Sequence, residues 1–116
     1  MLHFETQEFD SPDLPNSGIN MDNAFLQMLN DARGIAGIPF NITSGYRTKD
    51  RNKLVGGVAN SSHLVGKAAD ISVQSGNERY IVINALIKAG FKRIGVAKTF
   101  LHCDNDESKP NSIWTY

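Results

Sequence analysis

The sequence predicts a small α+β fold, in which two principal helices cover one face of a mainly antiparallel sheet. Apolar residues recur at the spacing of one helix face in two segments, residues 21–32 and 82–89. Four short apolar segments have the composition of strands: residues 38–43, 67–73, 91–96 and 99–104. A chain of 116 residues is the usual size of one domain, so we expect a single domain over residues 1–116.

Residues 1–20 are expected to form a loop-like N-terminal arm of this domain. Two prolines and Gly18 interrupt this polar stretch, in which only Leu2–Phe4 is expected to be extended. Phe9 should help to anchor the arm by packing onto the domain. No residue pattern in the arm suggests chemistry.

Both principal helices have recognisable ends. The first is expected to begin after Asn20, which can cap it, and to end at Gly37. The second begins with Ser75 and Glu78, which have the spacing of a capping box, and ends at Gly90. Between the first strand and residue 61, the chain reads as a short helix or an irregular loop. Its basic side chains form either a solvated rim or a site for an anionic polymer.

The last two predicted strands read as a hairpin whose turn lies near Ala97. Alternation along the second of these strands places His102 and Asp104 on one face and Cys103 on the other. Cys103 is therefore expected to be a core residue rather than a metal ligand. Residues 113–116 either add an edge strand or pack over one edge of the core.

Charge and composition exclude several classes of protein. Twelve basic and twelve acidic side chains cancel, so no net field attracts nucleic acid or an anionic membrane. No apolar segment approaches the roughly 20 residues that a membrane-spanning helix needs. The single cysteine rules out an internal disulfide framework. We therefore expect a protein that binds no nucleic acid and does not insert into membranes. A monomer is also expected.

One segment brings metal-ligand side chains close together in the sequence. Residues 61–70 read Ser-Ser-His-Leu-Val-Gly-Lys-Ala-Ala-Asp, so that His63 precedes Asp70 by seven residues. Catalytic zinc typically has three protein ligands and a water, and both residue types can supply one. His102 is the best third ligand, since it lies in an apolar strand, whereas His3 lies at a chain end that is expected to fray. The alternative is an Asp–His hydrogen bond without a metal.

This motif closely resembles that of the zinc D-Ala-D-Ala carboxypeptidase family, which includes bacteriophage endolysins and shares its fold with the Hedgehog signalling domain. The matching pattern is Ser61-x-His63-x-x-Gly66-x-Ala68-x-Asp70, followed by His102 in an apolar strand. The resemblance covers roughly residues 20–105 and implies a Hedgehog-like α+β fold. It also implies Zn²⁺ held by His63, Asp70 and His102, and hydrolysis of an amide bond in a peptidoglycan stem peptide or cross-link.

The resemblance implies roles for two further polar residues. Arg47 ends a Ser-Gly-Tyr-Arg segment that is similar to one in the family, where the arginine reaches the active site and binds substrate. A guanidinium donates in a fixed fork to a carboxylate or to a developing oxyanion. Arg47 is therefore expected to bind substrate and to act in catalysis. Ser61 either hydrogen-bonds the substrate, as its family counterpart does, or only caps its turn.

The general base is where this sequence departs from the family. Some branches place a His two residues, or a Glu three residues, before the third ligand, but Phe100 and Thr99 occupy those positions here. Asp104 lies on the same strand face as His102 and is the nearest carboxylate, so it is the predicted catalytic base. The His-x-Asp ending also resembles the phage-type branch. The alternative is that Asp104 orients a metal ligand.

Several functional questions stay open at this level. The same motif would occur in a zinc-bound module that recognises cell wall or a protein without cleaving it, a use of this scaffold that Hedgehog shows. It would also occur in a branch with another bond specificity. The scissile bond could be D-Ala-D-Ala, L-Ala-D-Glu or a cross-bridge. The first residues lack the basic and apolar regions of a secretory signal. We therefore expect a cytoplasmic protein that a holin-type partner releases to the cell wall.

Overall fold

The computed structural model of the protein describes residues 2–116, and Met1 lies outside that range. The α-helices are α1 (Asn23–Ala36), α2 (Lys49–Leu54) and α3 (Gly76–Lys88). The strands are β1 (Ile42–Ser44), β2 (Ala68–Ser72), β3 (Arg93–Val96), β4 (Phe100–Asp104) and β5 (Ser112–Thr115). Among residues 2–116, no helix has the length and apolar character needed to cross a membrane.

The strands form one mixed sheet in the order β1-β2-β4-β3-β5. The pairs β1–β2, β2–β4 and β3–β4 are antiparallel, whereas β5 runs parallel to β3. The predicted α+β class is therefore confirmed, and so is the predicted hairpin, which β3 and β4 form. Of the two alternatives for the tail, the edge strand is the one observed.

The hydrophobic core lies between one face of the sheet and the two long helices. Its members include Phe25, Leu29 and Ala32 of α1, Val82, Ala85 and Leu86 of α3, and Ile71, Ile94, Leu101 and Cys103 of the sheet. Cys103 is fully buried there, which confirms its predicted place in the core. Because side chains alternate along a strand, the neighbouring His102 and Asp104 lie on the opposite face. That face is the one that α1 and α3 leave open.

Both long helices are capped by side chains, although the first begins later than predicted. Asp22, rather than Asn20, caps α1 by accepting a backbone N–H of its first turn at 2.9 Å. Gly37 ends α1 with φ = 69°, a left-handed conformation that glycine adopts readily. Ser75 caps α3 by accepting the backbone N–H of Glu78 at 3.1 Å, as the capping-box spacing predicts.

The first strand is shorter than the sequence predicts. β1 covers only Ile42–Ser44, whereas the apolar pattern favours a strand over residues 38–43. Pro39 lacks the backbone N–H that strand pairing uses. Phe40 instead buries its ring in the core at 5% exposure.

The N-terminal arm is more regular than the loop that the sequence predicts. It contains two short 3-10 helices, Thr6–Phe9 and Ser17–Asn20. The carboxylate of Asp10 accepts two backbone N–H groups at the second of these helices, and this holds the arm together. Phe9 is fully buried, as the predicted anchoring requires.

Candidate metal centre

A row of five residues, one from each strand, crosses the open face of the sheet. The strand register aligns Ser44, Asp70, His102, Gly95 and Trp114. Asp70 and His102 thus lie side by side, although 32 residues separate them along the chain. Each is buried at 8% exposure. Two of the predicted ligands are therefore placed by backbone pairing alone.

His63 reaches this row from outside the sheet. It lies in a 3-10 turn, Ser62–Val65, that precedes β2. Its Nδ1 lies 2.7 Å from the carbonyl oxygen of Gly45. Its own carbonyl oxygen accepts the backbone N–H of Arg47 at 3.1 Å. The segment Ser44–Arg47 therefore sets the orientation of the His63 imidazole.

Gly45 can make this contact only because it has no side chain. A Cβ at Gly45 would lie 2.7 Å from the Cα of Phe9. The carbonyl oxygen of Phe9 also accepts the backbone N–H of Tyr46 at 2.9 Å. The N-terminal arm thus supports the segment that orients His63, a role that no pattern within residues 1–20 indicates.

The three predicted ligands converge on one point. Single ligand atoms of His63, Asp70 and His102 all lie within 4.8 Å of one another. Oδ1 of Asp70 lies 3.1 Å from Nδ1 of His102 and 3.3 Å from Nε2 of His63. Two ligand atoms bound at about 2.0–2.1 Å to one tetrahedral metal ion would lie about 3.3–3.4 Å apart. The observed spacing is therefore close to the one that a metal ion requires.

The outer nitrogens of the two imidazoles show which atoms face the centre. A carbonyl oxygen can only accept, so Nδ1 of His63 carries the proton that it donates to Gly45. Nε2 of His102 lies 2.7 Å from Oδ2 of Asp104, which likewise accepts a proton. In neutral imidazoles the inner nitrogens then present lone pairs toward the carboxylate of Asp70. Three electron-pair donors in this arrangement need a cation between them.

Hydrogen bonds around this cluster shift the pKa values of two of its members. Burial acts to raise the pKa of Asp70, but hydrogen bonds with His102 and His63 outweigh it and hold that pKa well below its usual value. Burial acts to lower the pKa of His102, but hydrogen bonds with Asp104 and Asp70 raise it above its usual value of 6.5. The two shifts thus favour an ionised Asp70 carboxylate beside a positively charged partner.

A cleft of about 460 Å³ opens over these ligand atoms. Its lining includes all three ligand residues and also Arg47, Ser61 and Trp114. A metal ion held by His63, Asp70 and His102 would therefore have an open side toward the cleft. This is the pattern of a catalytic rather than a closed structural metal site.

The family model described as Peptidase M15 matches residues 3–104. The chain belongs to the peptidase M15 family. M15 peptidases are metal-dependent, and the cluster of His63, Asp70 and His102 could hold the ion in this member. The resemblance drawn from the sequence is thus confirmed at the level of the M15 family. No curated protein matches the chain closely enough to narrow this assignment.

Arg47 lies in the wall of the M15 cleft and is held by three acceptors. Its Nε donates to Oγ of Ser44 at 3.0 Å, and its Nη2 lies 3.4 Å from Oδ2 of Asp70. Its Nη1 donates to Oδ1 of Asn52 at 3.2 Å. Asn52 is buried at 4% exposure and also donates to the carbonyl of Val58. The sequence gives no signal for Asn52, because an asparagine in a short polar helix reads as surface.

Asp104 contacts the side of His102 that faces away from the three candidate ligand atoms. Its Oδ2 lies 2.7 Å from Nε2 of His102, the nitrogen remote from Asp70. Its Oδ1 accepts Nε–H of Arg93 at 2.8 Å and the backbone N–H of Asp106 at 3.2 Å. Asp104 is buried at 1% exposure. Arg93 was not singled out by sequence, since its pairing with Asp104 depends on the β3–β4 register.

Ser61 lines the cleft and caps the turn that carries His63. Its Oγ accepts the backbone N–H of His63 at 3.2 Å. The capping alternative is thus observed. A contact of Ser61 with substrate stays a prediction.

Trp114 closes one side of the M15 centre. Its ring lies 5.4 Å from the ring of His102, and the guanidinium of Arg93 lies 4.9 Å from its centroid. Gly95 makes room for it, because a Cβ there would lie 2.7 Å from Nε1 of Trp114. The sequence marks residues 113–116 only as a possible edge strand, so this aromatic wall emerges from the parallel pairing of β5 with β3.

Gly95→Ala is expected to displace the indole of Trp114 from the sheet. Overpacking of this kind typically costs about 1–3 kcal/mol. Trp114 is the only tryptophan in the sequence, so the wavelength of intrinsic fluorescence reports its position directly. Gly76→Ala is the control, since no atom lies within 4 Å of a Cβ at that position. Identical spectra and stability for the two variants would contradict the prediction.

Proposed function

We propose that this M15 metallopeptidase uses a zinc ion to hydrolyse an amide bond in peptidoglycan stem peptides or cross-links. The observation that carries the proposal is the convergence of two imidazole nitrogens and one carboxylate oxygen beneath an open cleft. Nitrogen and carboxylate ligands suit zinc. The likeness of the motif to peptidoglycan-cleaving enzymes supports the substrate.

His63, Asp70 and His102 would hold the zinc ion. Zinc in such a site supplies a Lewis acid for the scissile carbonyl and lowers the pKa of water toward about 7. Gly45 keeps His63 in the tautomer that leaves Nε2 free, because its carbonyl accepts the Nδ1 proton. Asp104 does the same for Nδ1 of His102. Both ligands are thereby pre-oriented before any ion arrives.

Arg47 would bind a carboxylate of the substrate or stabilise the developing oxyanion. Its guanidinium lies against Asp70 and is fixed by Ser44 and Asn52, so it loses little rotamer freedom on binding. Peptidoglycan stem peptides carry carboxylates near their amide bonds, which suits this cation. Ser61 at the same cleft is the proposed partner for a peptide group.

The contacts of Asp104 favour a positioning role over the catalytic base that the sequence suggests. Both of its oxygens are engaged, and its contact with His102 is on the nitrogen remote from Asp70. A general base must reach the reacting water directly or through one further water. Asp104 also lines the cleft, but it is buried at 1% exposure, which supports orientation of His102 instead.

This proposal also includes a phage-type origin, release from the cytoplasm by a holin-type partner, and a monomeric state. The phage-type origin rests on the likeness of the His-x-Asp ending to the phage-type branch, and release by a holin-type partner follows from that origin. Expression of the protein alone would then leave host cells intact. Addition of purified protein to exposed cell wall would cleave it.

Digestion of purified peptidoglycan tests the proposal most directly. Zinc-loaded protein should release soluble fragments with new amino groups, and mass spectrometry of the fragments would identify the bond that is cut. Asp70→Ala is the matched inactive control. If the wild-type protein binds sedimented peptidoglycan but releases no amino groups, the molecule is a binding module and the hydrolytic proposal fails.

A further inference from the structure

We propose that Ser62 and Asp106 form a latch that fixes the turn of His63 against the strand of His102 and thereby sets the spacing of the metal ligands. This inference rests on metal binding by the M15 centre but not on the peptidoglycan substrate. Neither residue is a metal ligand: Ser62 occupies the variable position between Ser61 and His63, and Asp106 follows β4.

The need for such a latch follows from where the ligands lie. Asp70 and His102 are direct partners in the β2–β4 pairing, so the sheet fixes their separation. His63 lies in the turn Ser62–Val65, outside any strand. Its distance from His102 therefore depends on the contacts of the turn itself.

The hydroxyl of Ser62 is fully engaged on the side facing the β4–β5 connection. It donates to Oδ2 of Asp106 at 2.7 Å and accepts Nζ–H of Lys109 at 2.9 Å. Lys109 also donates to the carbonyl oxygen of Asn60 at 2.6 Å, just before the turn. Ser62 and Asp106 are buried at 3% and 8% exposure, so the hydrogen bond between these two side chains is shielded from water.

Asp106 carries the connection onward to the second histidine. Its backbone N–H donates to Oδ1 of Asp104, whose Oδ2 contacts His102. Its own Oδ1 is fixed by the backbone N–H and the hydroxyl of Ser108. A continuous path of hydrogen bonds thus runs from the neighbour of one metal ligand to the side chain of another.

The charge of Asp106 is consistent with this role. Burial acts to raise its pKa, but hydrogen bonds from Ser108 and Ser62 lower it to about 2. Lys109 lies 3.6 Å from its Oδ2. The carboxylate therefore stays an acceptor for Ser62 over the pH range in which imidazole ligands are neutral.

Loss of a latch should weaken metal binding, whereas loss of a contact that only contributes to folding should lower stability alone. Ser62→Ala removes one buried hydroxyl and should displace His63 from the other ligands. Ser17→Ala is the matched control, because Ser17 is also buried at 3% exposure and its Oγ accepts the backbone N–H of Ser11 at 2.7 Å. That hydrogen bond joins two residues of the N-terminal arm, and among residues 2–116 neither of them hydrogen-bonds to His63, Asp70 or His102. Both variants should lose similar stability toward urea.

Metal affinity is the measurement that distinguishes a latch from a contact that only stabilises the fold. Dissociation constants for Co²⁺ and Zn²⁺ are determined by chelator competition, together with the visible absorption spectrum of the Co²⁺ form. Ser62→Ala should bind either metal ~10–100-fold more weakly, the range typical for loss of a group that supports a ligand. Its Co²⁺ spectrum should change as well. Ser17→Ala should keep the wild-type affinity and spectrum.

Lys109→Met is a second variant that keeps the hydrogen bond between Ser62 and Asp106 and should fold even if Ser62→Ala does not. It should weaken metal binding by a smaller factor than Ser62→Ala. Wild-type affinity in both Ser62→Ala and Lys109→Met, or an equal loss in Ser17→Ala, would overturn the latch. Wild-type protein that binds neither Co²⁺ nor Zn²⁺ would overturn the metal centre itself.

Discussion

His63→Ala, Asp70→Ala and His102→Ala are each expected to remove most of the bound metal and nearly all peptidase activity. Each variant leaves two of the three protein ligands, and the loss should exceed the ~10–100-fold that removal of a supporting group typically causes. Wild-type protein should contain about one zinc ion per chain. Elemental analysis after gel filtration, together with chelator competition, measures both quantities.

His3→Ala is the control for these ligand variants. His3 does not belong to the metal-ligand cluster found among residues 2–116, and its backbone N–H donates to Asn30. It should retain full metal content and activity. Undiminished zinc in all three ligand variants would show that the ion binds elsewhere.

Asp104→Asn is expected to weaken zinc binding by ~10–100-fold and to leave partial activity that returns when zinc is added. Asp104 accepts hydrogen bonds from His102, Arg93 and the backbone of Asp106. Oδ1 accepts from two of these donors and Oδ2 from His102 alone, so the single oxygen of an asparagine amide should take the place of Oδ1 and its NH₂ group should face His102. The imidazole of His102 then loses the acceptor that fixes its tautomer. Zinc titration of activity and direct binding measure the two effects separately.

A catalytic base at Asp104 would give the opposite pattern. Zinc would be retained, and turnover would fall by ~10²–10⁴-fold without recovery on addition of zinc. Glu78→Gln is a control, since the Glu78 carboxylate also accepts a backbone N–H, that of Gln74, but lies in α3 on the other face of the sheet. It should leave zinc affinity unchanged. Wild-type rate and affinity in Asp104→Asn would exclude both roles.

The sequence by itself determined the features that depend on local periodicity. The spacing of apolar residues predicted α1 and α3, and the alternation in β4 placed His102 opposite the buried Cys103. These predictions succeed because one face of a helix or strand must be apolar when it packs on a core. The candidate ligands could also be chosen from the sequence, because few types of side chain bind metal and only two histidines compete for the third position.

The ends of the helices and strands were less predictable, because local propensity and tertiary contacts compete at those positions. α1 begins at Asn23 and is capped by Asp22 rather than Asn20, and β1 begins only at Ile42. The N-terminal arm forms short 3-10 helices rather than a loop. In each case a hydrogen bond or a buried ring decides the outcome, and neither leaves a periodic signal in the sequence.

Only the tertiary structure decided which atom of each site residue faces which partner. The carbonyl of Gly45 accepts from Nδ1 of His63, and the carboxylate of Asp104 lies against Nε2 of His102, the nitrogen remote from Asp70. The hydrogen bond from Ser62 to Asp106 joins residues 44 positions apart. Periodicity gives the face on which a side chain lies, but the partner of each polar atom depends on strand register and on contacts between distant segments. Strand register and these contacts are fixed only in the folded chain.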